Sequence, residues 1–421
     1  MAGVLNVSDS LQEFRASPTP LAAYVHWPWC KAKCPYCDFN SHASAPREQD
    51  YLNAVLREFR HFHDHGVITP SQKVQFRPTH SSLTSVFFGG GTPSLMSPKT
   101  LEKLIIGLTE IAPPEPDMEV TVECNPTSFA SPVEAQQFFQ DLKSCGVNRI
   151  SIGIQGLKPE WLTFLGREHS VSDALATLDA AQSVFDNVNA DVIYGLPNQD
   201  IADWRELLHF LADRGLSHIS AYQLTIEPNT AFYTAVRRGA WEPLDSDQEH
   251  VFFEETRQIL RQHNYSNYEI SNFCKPGKEC RHNLHIWRYG DYAGFGPGAH
   301  GRLHTSPRDV LATRVLKHPD SYFRAVEDIS RVLHVTELTP AEAIQEAFFA
   351  GLRLAEGVDM DSLLKHSPEA LYKAAIDTDE VAFLISKGLL KRTRSHLHLT
   401  DAGWPLLNSI LQRILRPLPL V

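Results

Sequence analysis

Residues 24–37 read YVHWPWCKAKCPYC, a short apolar strand candidate that runs directly into three cysteines. Cys30, Cys34 and Cys37 stand within eight residues, while the other four of the chain's seven cysteines are scattered. An odd count of seven in 421 residues does not suit a disulfide scaffold. Clustered thiols in a reducing compartment indicate metal or redox chemistry instead.

The spacing of these cysteines, C-x3-C-x2-C, favours an iron–sulfur cluster. Structural zinc usually takes four ligands, often in C-x2-C pairs, and no fourth Cys or His lies at a nearby standard spacing. Cysteine thiolates hold [4Fe–4S] clusters, and three of them leave one iron open for a small ligand. Zinc, or three ordinary buried thiols, stays the alternative. The cysteines that receive no metal role are Cys124, Cys145, Cys274 and Cys280.

Outward from the cysteines, the first half of the chain alternates strands and helices. Helix-period segments separate six predicted strands, which start near residues 24, 85, 119, 149, 189 and 218. This order is typical of βαβ units and therefore predicts a parallel sheet. Right-handed crossovers wind such a sheet into a barrel or into an open, doubly wound sheet.

The predicted sheet and its helices form one region, residues 21–240, and three further segments complete the chain. Residues 1–20 are predicted to be an N-terminal tail and residues 241–335 a linker region of strands and irregular loops. Residues 336–421 are predicted to form a smaller C-terminal domain that is mainly helical. Its end has the order helix, two-stranded wing and helix, which is winged-helix-like.

Charge and hydropathy exclude several classes of partner. Lys+Arg 39 against Asp+Glu 50 gives a net charge of −11, and residues 376–421 carry only a small basic excess. The winged-helix-like unit is therefore not expected to bind DNA, and no nucleic-acid partner is predicted. No apolar run reaches the ~18 residues of a membrane span, and the first residues lack the apolar core of a signal peptide. The sequence predicts a cytoplasmic protein.

Glycines and polar residues follow several of the predicted strands. The stretch 89–94, GGGTPS, lies between a buried strand and a helix, where glycines let the backbone approach a ligand. Glu123, Gln155 and Asp191 lie at or near the carboxyl ends of their strands, the edge at which parallel α/β folds bind ligands. Glu123 and Asp191 suit ribose hydroxyls, and Arg167 suits a carboxylate. Taken singly, each also suits a strand-end cap or a surface salt bridge.

Five motifs in order resemble the oxygen-independent coproporphyrinogen III oxidase family of radical S-adenosylmethionine (SAM) proteins, over roughly residues 21–420. They are YVHWPWCKAKCPYCDF at 24–39, GGGTPS at 89–94, VECNP at 122–126, RISIGIQ at 149–155 and DVIYGLP at 191–197. The resemblance implies an α/β fold with a partial (β/α)6, TIM-like radical SAM barrel. A smaller C-terminal α+β region, ending in the winged-helix-like unit, would follow the barrel.

The same resemblance implies two cofactors. Cys30, Cys34 and Cys37 would bind three irons of a [4Fe–4S] cluster, and SAM would chelate the fourth iron through its amino and carboxylate groups. An electron from the reduced cluster would cleave SAM to methionine and a 5′-deoxyadenosyl radical. By matching positions, the residues implied to surround SAM are Tyr24, Tyr36, Gly90, Gly91, Thr92, Glu123, Gln155, Arg167 and Asp191.

One absent cysteine separates two groups within that family. The oxidases have a further cysteine two residues after the third cluster ligand, and this chain has Phe39 there. In this it resembles the HemW-type haem chaperones, which bind haem, deliver it to respiratory haemoproteins and are not expected to oxidise coproporphyrinogen. That likeness implies haem, a respiratory haem acceptor and an electron donor as partners. The alternatives are an oxidase that decarboxylates two propionates of coproporphyrinogen III, and a radical SAM enzyme with another substrate.

Residues 281–287, RHNLHIW, carry a second likeness to this group, whose members share a His-Asn-x-x-Tyr-Trp pattern. The chain departs from that pattern at Ile286, which replaces the tyrosine. A neutral His282 imidazole suits an axial haem ligand, and His285 is a substitute three residues away. A structural histidine within an aromatic cluster stays the alternative.

Overall fold

The architecture is seen in a computed structural model, which describes residues 18–69 and 75–417. Most of the predicted tail therefore lies outside the described residues, and its last two residues already belong to a strand. The strands are β1 (Thr19–Trp27), β2 (Val67–Ile68), β3 (Gln75–Phe76), β4 (Ser81–Gly90), β5 (Pro114–Cys124), β6 (Arg149–Gln155), β7 (Val188–Tyr194), β8 (His218–Gln223), β9 (Ser266–Glu269), β10 (Asn272–Cys274), β11 (Asp291–Phe295), β12 (His300–His304), β13 (Val310–Val315), β14 (Leu333–Glu337), β15 (Val358–Asp359), β16 (Leu390–Arg392) and β17 (His396–Leu399).

Twelve of these strands form one sheet, in the order β14-β13-β12-β11-β1-β4-β5-β6-β7-β8-β10-β9. The six strands expected from the sequence, β1 and β4 to β8, are adjacent and parallel. They form the predicted partial (β/α)6 barrel. On the other side of β1, β11 also runs parallel, and antiparallel strands extend the sheet at both ends.

Helices connect the parallel strands, as the βαβ rhythm predicts. The helices are α1 (Glu48–His65), α2 (Pro98–Ile111), α3 (Pro132–Ser144), α4 (Pro159–Phe164), α5 (Val171–Gln182), α6 (Ile201–Asp213), α7 (Ala231–Arg237), α8 (Ser246–Gln262), α9 (Arg281–Trp287), α10 (Pro319–Ala325), α11 (Pro340–Gly351), α12 (Met360–His366), α13 (Glu369–Ala375), α14 (Thr378–Ser386) and α15 (Leu407–Ile414). Short 3-10 turns lie at Pro78–His80, Pro93–Leu95, Pro126–Ser128, Ile329–Arg331 and Trp404–Leu406.

Local capping explains where the barrel helices begin. Ser97 precedes α2 and its side chain accepts the N–H of Thr100, while proline fills the first helical position. Ser170 precedes α5 in a reciprocal capping box with Asp173. These signals are local in the sequence, so the helices start within a residue or two of the predicted places.

The strand β6 shows how the barrel divides its side chains between two faces. Ile150, Ile152 and Ile154 are fully buried in the main hydrophobic core. The alternate residues, including Ser151 and Gln155, line the central cavity. Because successive side chains of a strand point to opposite faces, one apolar set forms the core and one polar set forms the site.

The residues after β14 build a smaller unit with its own hydrophobic core. The strands β15, β17 and β16 form an antiparallel sheet, and the core includes Leu384, Leu397 and Ile410. The order α14, β16, β17, α15 is the expected order of helix, wing and helix. Across the described ranges, no helix is both long and apolar enough to cross a membrane.

The middle segment continues the main sheet. Strands β9 to β13 lie within residues 241–335 and belong to the twelve-stranded sheet. The expectation of strands and irregular loops over 264–305 missed one helix, α9. The boundaries proposed from the sequence, at 20/21, 240/241 and 335/336, stay a prediction.

Candidate functional site

The parallel strands and the loops that follow them surround a cavity of about 610 Å³. A cavity of this volume suits a small-molecule ligand. The structure brings together in it every candidate residue named from the sequence except His285; these thirteen are Tyr24, Cys30, Cys34, Tyr36, Cys37, Gly90, Gly91, Thr92, Glu123, Gln155, Arg167, Asp191 and His282. Their individual binding roles stay predictions.

The cysteine loop leaves the end of β1 and is closed at its base by backbone pairing. Trp29 and His42 form an isolated bridge, and the Cys30 N–H donates to the His42 carbonyl at 3.1 Å. Within the loop, the Cys37 N–H donates to the Cys34 carbonyl at 3.2 Å. These bonds hold three thiols on one short turn beside the cavity.

The surroundings of the thiols favour a cluster over zinc. Burial raises the pKa of Cys30 and of Cys37, so metal binding must release protons from these thiols. Arg167 Nη1 donates to Cys34 Sγ at 3.4 Å and places a cation beside this sulfur. In residues 18–69 and 75–417, no three His, Cys, Asp or Glu side chains converge as one metal ion requires. Three thiolates of a [4Fe–4S] cluster bind three different irons and need no such convergence.

The glycine loop is shaped by the end of β1. The Gly91 N–H donates to the Trp27 carbonyl at 2.6 Å, and the Thr92 N–H donates to the Trp29 carbonyl at 2.8 Å. A Cβ on Gly91 would overlap the Trp29 carbonyl oxygen, so only glycine lets the two backbones approach this closely. These amides are therefore used within the protein and are not free for a ligand.

Glu123 and Asp191 are two of the acidic residues that line the cavity. Glu123 Oε2 accepts the Gly90 N–H at 3.2 Å, and burial, reinforced by Asp191, raises the pKa of Glu123 to about 8. Glu123 is therefore mostly protonated at neutral pH and can donate as well as accept a hydrogen bond. Burial also raises the pKa of Asp191, opposed by Ser151 and Asn189, which donate to this carboxylate at 2.9 and 2.8 Å. Asp191 lies in the middle of β7 (Val188–Tyr194), so the prediction that it lies at or near the carboxyl end of its strand is wrong.

Gln155 ends β6 in a backbone conformation that residues with side chains rarely adopt. Its φ is +63°, in the left-handed region. The pairing with β7 shifts register between Gly153 and Gln155, and the Gln155 amide lies over Gly153. A Cβ on Gly153 would be 2.7 Å from Gln155 Nε2. Arg167 Nη2 donates to the Gly153 carbonyl at 3.0 Å, so Arg167 links this strand end to the cysteine loop.

His282 lies on α9 in the same cavity, with one ring nitrogen unpartnered. The residue is 2% exposed, its Nδ1 is 2.9 Å from Ser85 Oγ, and its ring stacks on Phe87 with 5.1 Å between centroids. Its buried Nε2 has no hydrogen-bond partner among the described residues. Burial lowers the pKa of His282 to about 3, so the ring is neutral. A neutral imidazole with an unused nitrogen is the form that ligates a metal.

His285 lies elsewhere. Its Nε2 is paired with the Asp291 carbonyl at 2.7 Å, and the residue lines a second cavity of about 920 Å³ between the barrel and the C-terminal unit. That larger cavity contains none of the thirteen residues. His282 is therefore the histidine that shares a cavity with the cysteine loop.

Several polar residues of the site were not predicted from the sequence. Those on the parallel strands are Arg149, Ser151, Asn189, Ser220 and Tyr222. Their signal is the period of two: on each strand they alternate with buried aliphatic residues. A further missed residue, Arg353, reaches the cavity from the C-terminal unit, and no local pattern indicates it.

Two family models match the chain. One, described as the radical SAM superfamily, matches residues 24–211, and one, described as the HemN C-terminal domain, matches residues 338–406. The first range contains every residue expected to bind the cluster or SAM. The second covers most of the smaller C-terminal unit.

Similar proteins extend along almost the whole chain. A protein named "Heme chaperone HemW" from Haemophilus influenzae is 34% identical over 402 residues, which cover 94% of this chain and 98% of the relative. "Radical S-adenosyl methionine domain-containing protein 1, mitochondrial" from Bos taurus is 35% identical over 416 residues, covering 95% of this chain and 89% of the relative. Among solved structures, coproporphyrinogen III oxidase (HemN) from Escherichia coli matches with a TM-score of 0.75 and 22% identity, over 97% of this chain and 93% of that chain. The last likeness shows the shared fold alone.

Proposed function

The chain belongs to the HemW family of radical SAM proteins, and we propose that it is a haem chaperone. The observation that carries this proposal is the donor set of one cavity: three thiols on a single loop, and a neutral histidine with an unpartnered Nε2. The relatives named HemW support it, because they align over nearly their full length. The proposed acceptors are respiratory haemoproteins, and the proposed location is the cytoplasm.

Cys30, Cys34 and Cys37 are the proposed ligands of three irons of a [4Fe–4S] cluster. When bound, the cluster supplies one-electron chemistry toward SAM that side chains cannot provide. Arg167, which donates to Cys34 Sγ, would stabilise the anionic sulfur of the bound cluster. An electron donor is a further proposed partner, because the cluster is the one redox centre proposed for this chain and needs an external source of electrons.

The rest of the cavity is proposed to bind SAM. Glu123, protonated at neutral pH, would donate to a ribose hydroxyl, and Asp191 would accept from one, although Ser151 and Asn189 already occupy part of its capacity. Strain at a residue such as Gln155 concentrates at binding sites and supports a role for its amide. The other proposed contacts are Tyr24, Tyr36, Gly90, Gly91, Thr92 and Arg167.

His282 is the proposed axial ligand of haem. The Ser85 contact fixes one ring nitrogen and leaves Nε2 for iron. Burial keeps the imidazole neutral, as ligation requires. The structure gives His285 a different cavity and an occupied Nε2, so His285 is not proposed as the substitute ligand.

Haem binding and oxidase activity are tested in parallel on one preparation. The full chain is reconstituted with its cluster without oxygen, titrated with haem, and incubated with coproporphyrinogen III, SAM and a reductant. We expect a saturable haem spectrum and no protoporphyrinogen. His282→Ala should change or abolish that spectrum, while His285→Ala serves as the matched control and should not. Protoporphyrinogen formation at enzyme-like rates would replace the chaperone proposal with the oxidase.

A further inference from the structure

Arg353 is a cation of the C-terminal unit that lies in the barrel cavity. It follows α11, its side chain is 23% exposed, and its guanidinium carbon is 4.6 Å from the centroid of the Trp287 ring. Stacking on an aromatic ring holds a guanidinium plane in a fixed orientation, ready for a planar anion. Arg353 is thus a positioned group rather than a freely moving surface cation.

The charge of Arg353 is poorly compensated by the protein. Within the described residues it makes one ion pair, with Glu269, and the Nη2 to Oε2 distance of 3.9 Å is too long for a hydrogen bond. Its buried Nε has no hydrogen-bond partner in the part of the chain that the structure describes. Glu269 is itself engaged, since it accepts the Ser271 N–H at 2.9 Å and a side-chain N–H of Asn272. Burial lowers the pKa of Arg353, as expected for a cation that lacks a close anion.

A second unused donor lies on the same wall. The indole Nε1 of Trp287 is buried and has no hydrogen-bond partner among the described residues. On α9, the residues His282, Asn283, Ile286 and Trp287 all line the cavity. Their spacing of i, i+1, i+4 and i+5 places them on one helical face, so His282 and Trp287 both border this cavity; Trp287 also lines the larger cavity that contains His285.

Buried donors without acceptors are costly, and a bound ligand, water or ion can supply the missing acceptor. We propose that Arg353 and Trp287 form an anchoring subsite for a carboxylate of the bound ligand. This inference rests on the proposed haem function, under which the carboxylate is a propionate of haem. The other source is the carboxylate of SAM, for which Arg167, in contact with Cys34, is the proposed partner.

The test compares haem with its dimethyl ester, in which both propionates are esterified. Cluster-reconstituted full-length protein is titrated with each compound, and the dissociation constants are compared. We expect the wild type to bind haem at least about tenfold more tightly than the ester, as a lost charge-assisted carboxylate contact implies. Arg353→Gln should bind both compounds alike, with the affinity of the wild type for the ester.

Two further variants secure the result. Trp287→Phe keeps an aromatic ring but removes Nε1–H, so it should weaken haem binding and leave ester binding unchanged. If Arg353→Gln does not fold, Trp287→Phe alone tests the subsite. Arg288→Gln is the matched control, because Arg288 pairs with Glu356 and does not line this cavity. It should keep the full preference for haem.

The outcomes separate the subsite from the function. If Arg353→Gln and Trp287→Phe both keep the wild-type preference for haem over its ester, the subsite is overturned while the haem function stands. If Arg353→Gln loses affinity for SAM and keeps the preference, the carboxylate belongs to SAM and the propionate assignment is wrong. If the wild type binds neither haem nor the ester, the proposed function and this assignment fall together.

Discussion

Ser85 on β4 and His282 on α9 meet at 2.9 Å between Oγ and Nδ1, although 197 positions separate them in the chain. When Nδ1–H donates to the hydroxyl, the lone pair of the imidazole lies on Nε2, the nitrogen without a partner. Glu119 accepts the backbone N–H of His282 at 3.2 Å, so two strands fix this histidine. Such outer contacts orient metal-ligating histidines and set their tautomer.

Removal of the serine hydroxyl should therefore weaken haem binding without removing the ligand itself. We expect Ser85→Ala to lower haem affinity about tenfold, the lower range for loss of such an outer contact, and His282→Ala to lower it further. Spectroscopic titration measures both. Ser82→Ala is the control. Ser82 lies on β4 like Ser85, but its hydroxyl donates to Glu115, so this variant should bind haem normally. Equal affinities for wild type and both site variants would refute the ligand assignment.

The cluster assignment is tested by comparing cysteines inside and outside the loop. Cys34→Ala should abolish the visible absorbance of the reconstituted cluster, since the loop would keep only Cys30 and Cys37 and the proposed cluster needs three thiolates. Cys145→Ala is the matched control, because Cys145 follows α3 and its Sγ contacts the Pro98 carbonyl far from the cavity. Iron and sulfide per chain should match the wild type only in the control. A full iron content in Cys34→Ala would contradict the assignment.

Arg167 should tune the reduction potential of the bound cluster. Its Nη1 donates to Cys34 Sγ, and hydrogen bonds and positive charge at a ligand sulfur favour the reduced, more negative state. Loss of one charge-assisted bond, about 1.5 kcal/mol, corresponds to about 60 mV for one electron. We expect Arg167→Gln to lower the potential by this order in an EPR-monitored redox titration. Arg167→Lys keeps the charge and should give a smaller shift, whereas an unchanged potential in both variants would argue against the contact.

The barrel was predictable because its signals are local. Each signal involves only residues that are close together in the sequence. They are the apolar alternation of Ile150, Ile152 and Ile154, the helix caps at Ser97 and Ser170, and the glycine loop. The helix α9 was missed for the opposite reason. Its cavity-facing residues are His282, Asn283, Ile286 and Trp287, a mixture of polar and apolar side chains, so it has no continuous apolar stripe of helical period.

The site was predictable where a strand end or a motif carries it, and not where the tertiary structure assembles it. Glu123 lies at the end of β5 and the cysteine loop comes after β1, whereas the Ser85–His282 contact and the entry of Arg353 depend on how distant segments pack. The glycine loop was located correctly, but the sequence did not reveal that the carbonyls of Trp27 and Trp29 take its amides.

Gly153 should be essential for the position of Gln155. An alanine Cβ at Gly153 would lie 2.7 Å from Gln155 Nε2, so the Gln155 amide would have to move from its present position. We expect Gly153→Ala to weaken SAM binding at least about tenfold, measured by calorimetry, with little loss of helix content. Gly146→Ala adds the same methyl group where nothing lies within 4 Å, at a φ of +94°. It should cost about 1 kcal/mol of stability and leave SAM affinity unchanged; equal SAM affinity in both variants would show that Gln155 plays no part.

Glu123 should make stability fall as pH rises. Its folded-state pKa of about 8 lies above the ordinary value of 4.5, so between these values the folded chain keeps a proton that the unfolded chain has lost. The contribution of Glu123 is complete below about pH 4.5 and declines by about 1.4 kcal/mol per pH unit until the pH passes about 8. Glu123→Gln removes this dependence, so its unfolding free energy relative to wild type should rise from about pH 5 to about pH 8 in urea titrations of the ligand-free chain. Asp191→Asn should also reduce the fall in unfolding free energy with rising pH, since burial raises the pKa of Asp191 too. Parallel profiles for wild type and both variants would mean that these carboxyl groups titrate normally and that Glu123 enters the site as an acceptor only.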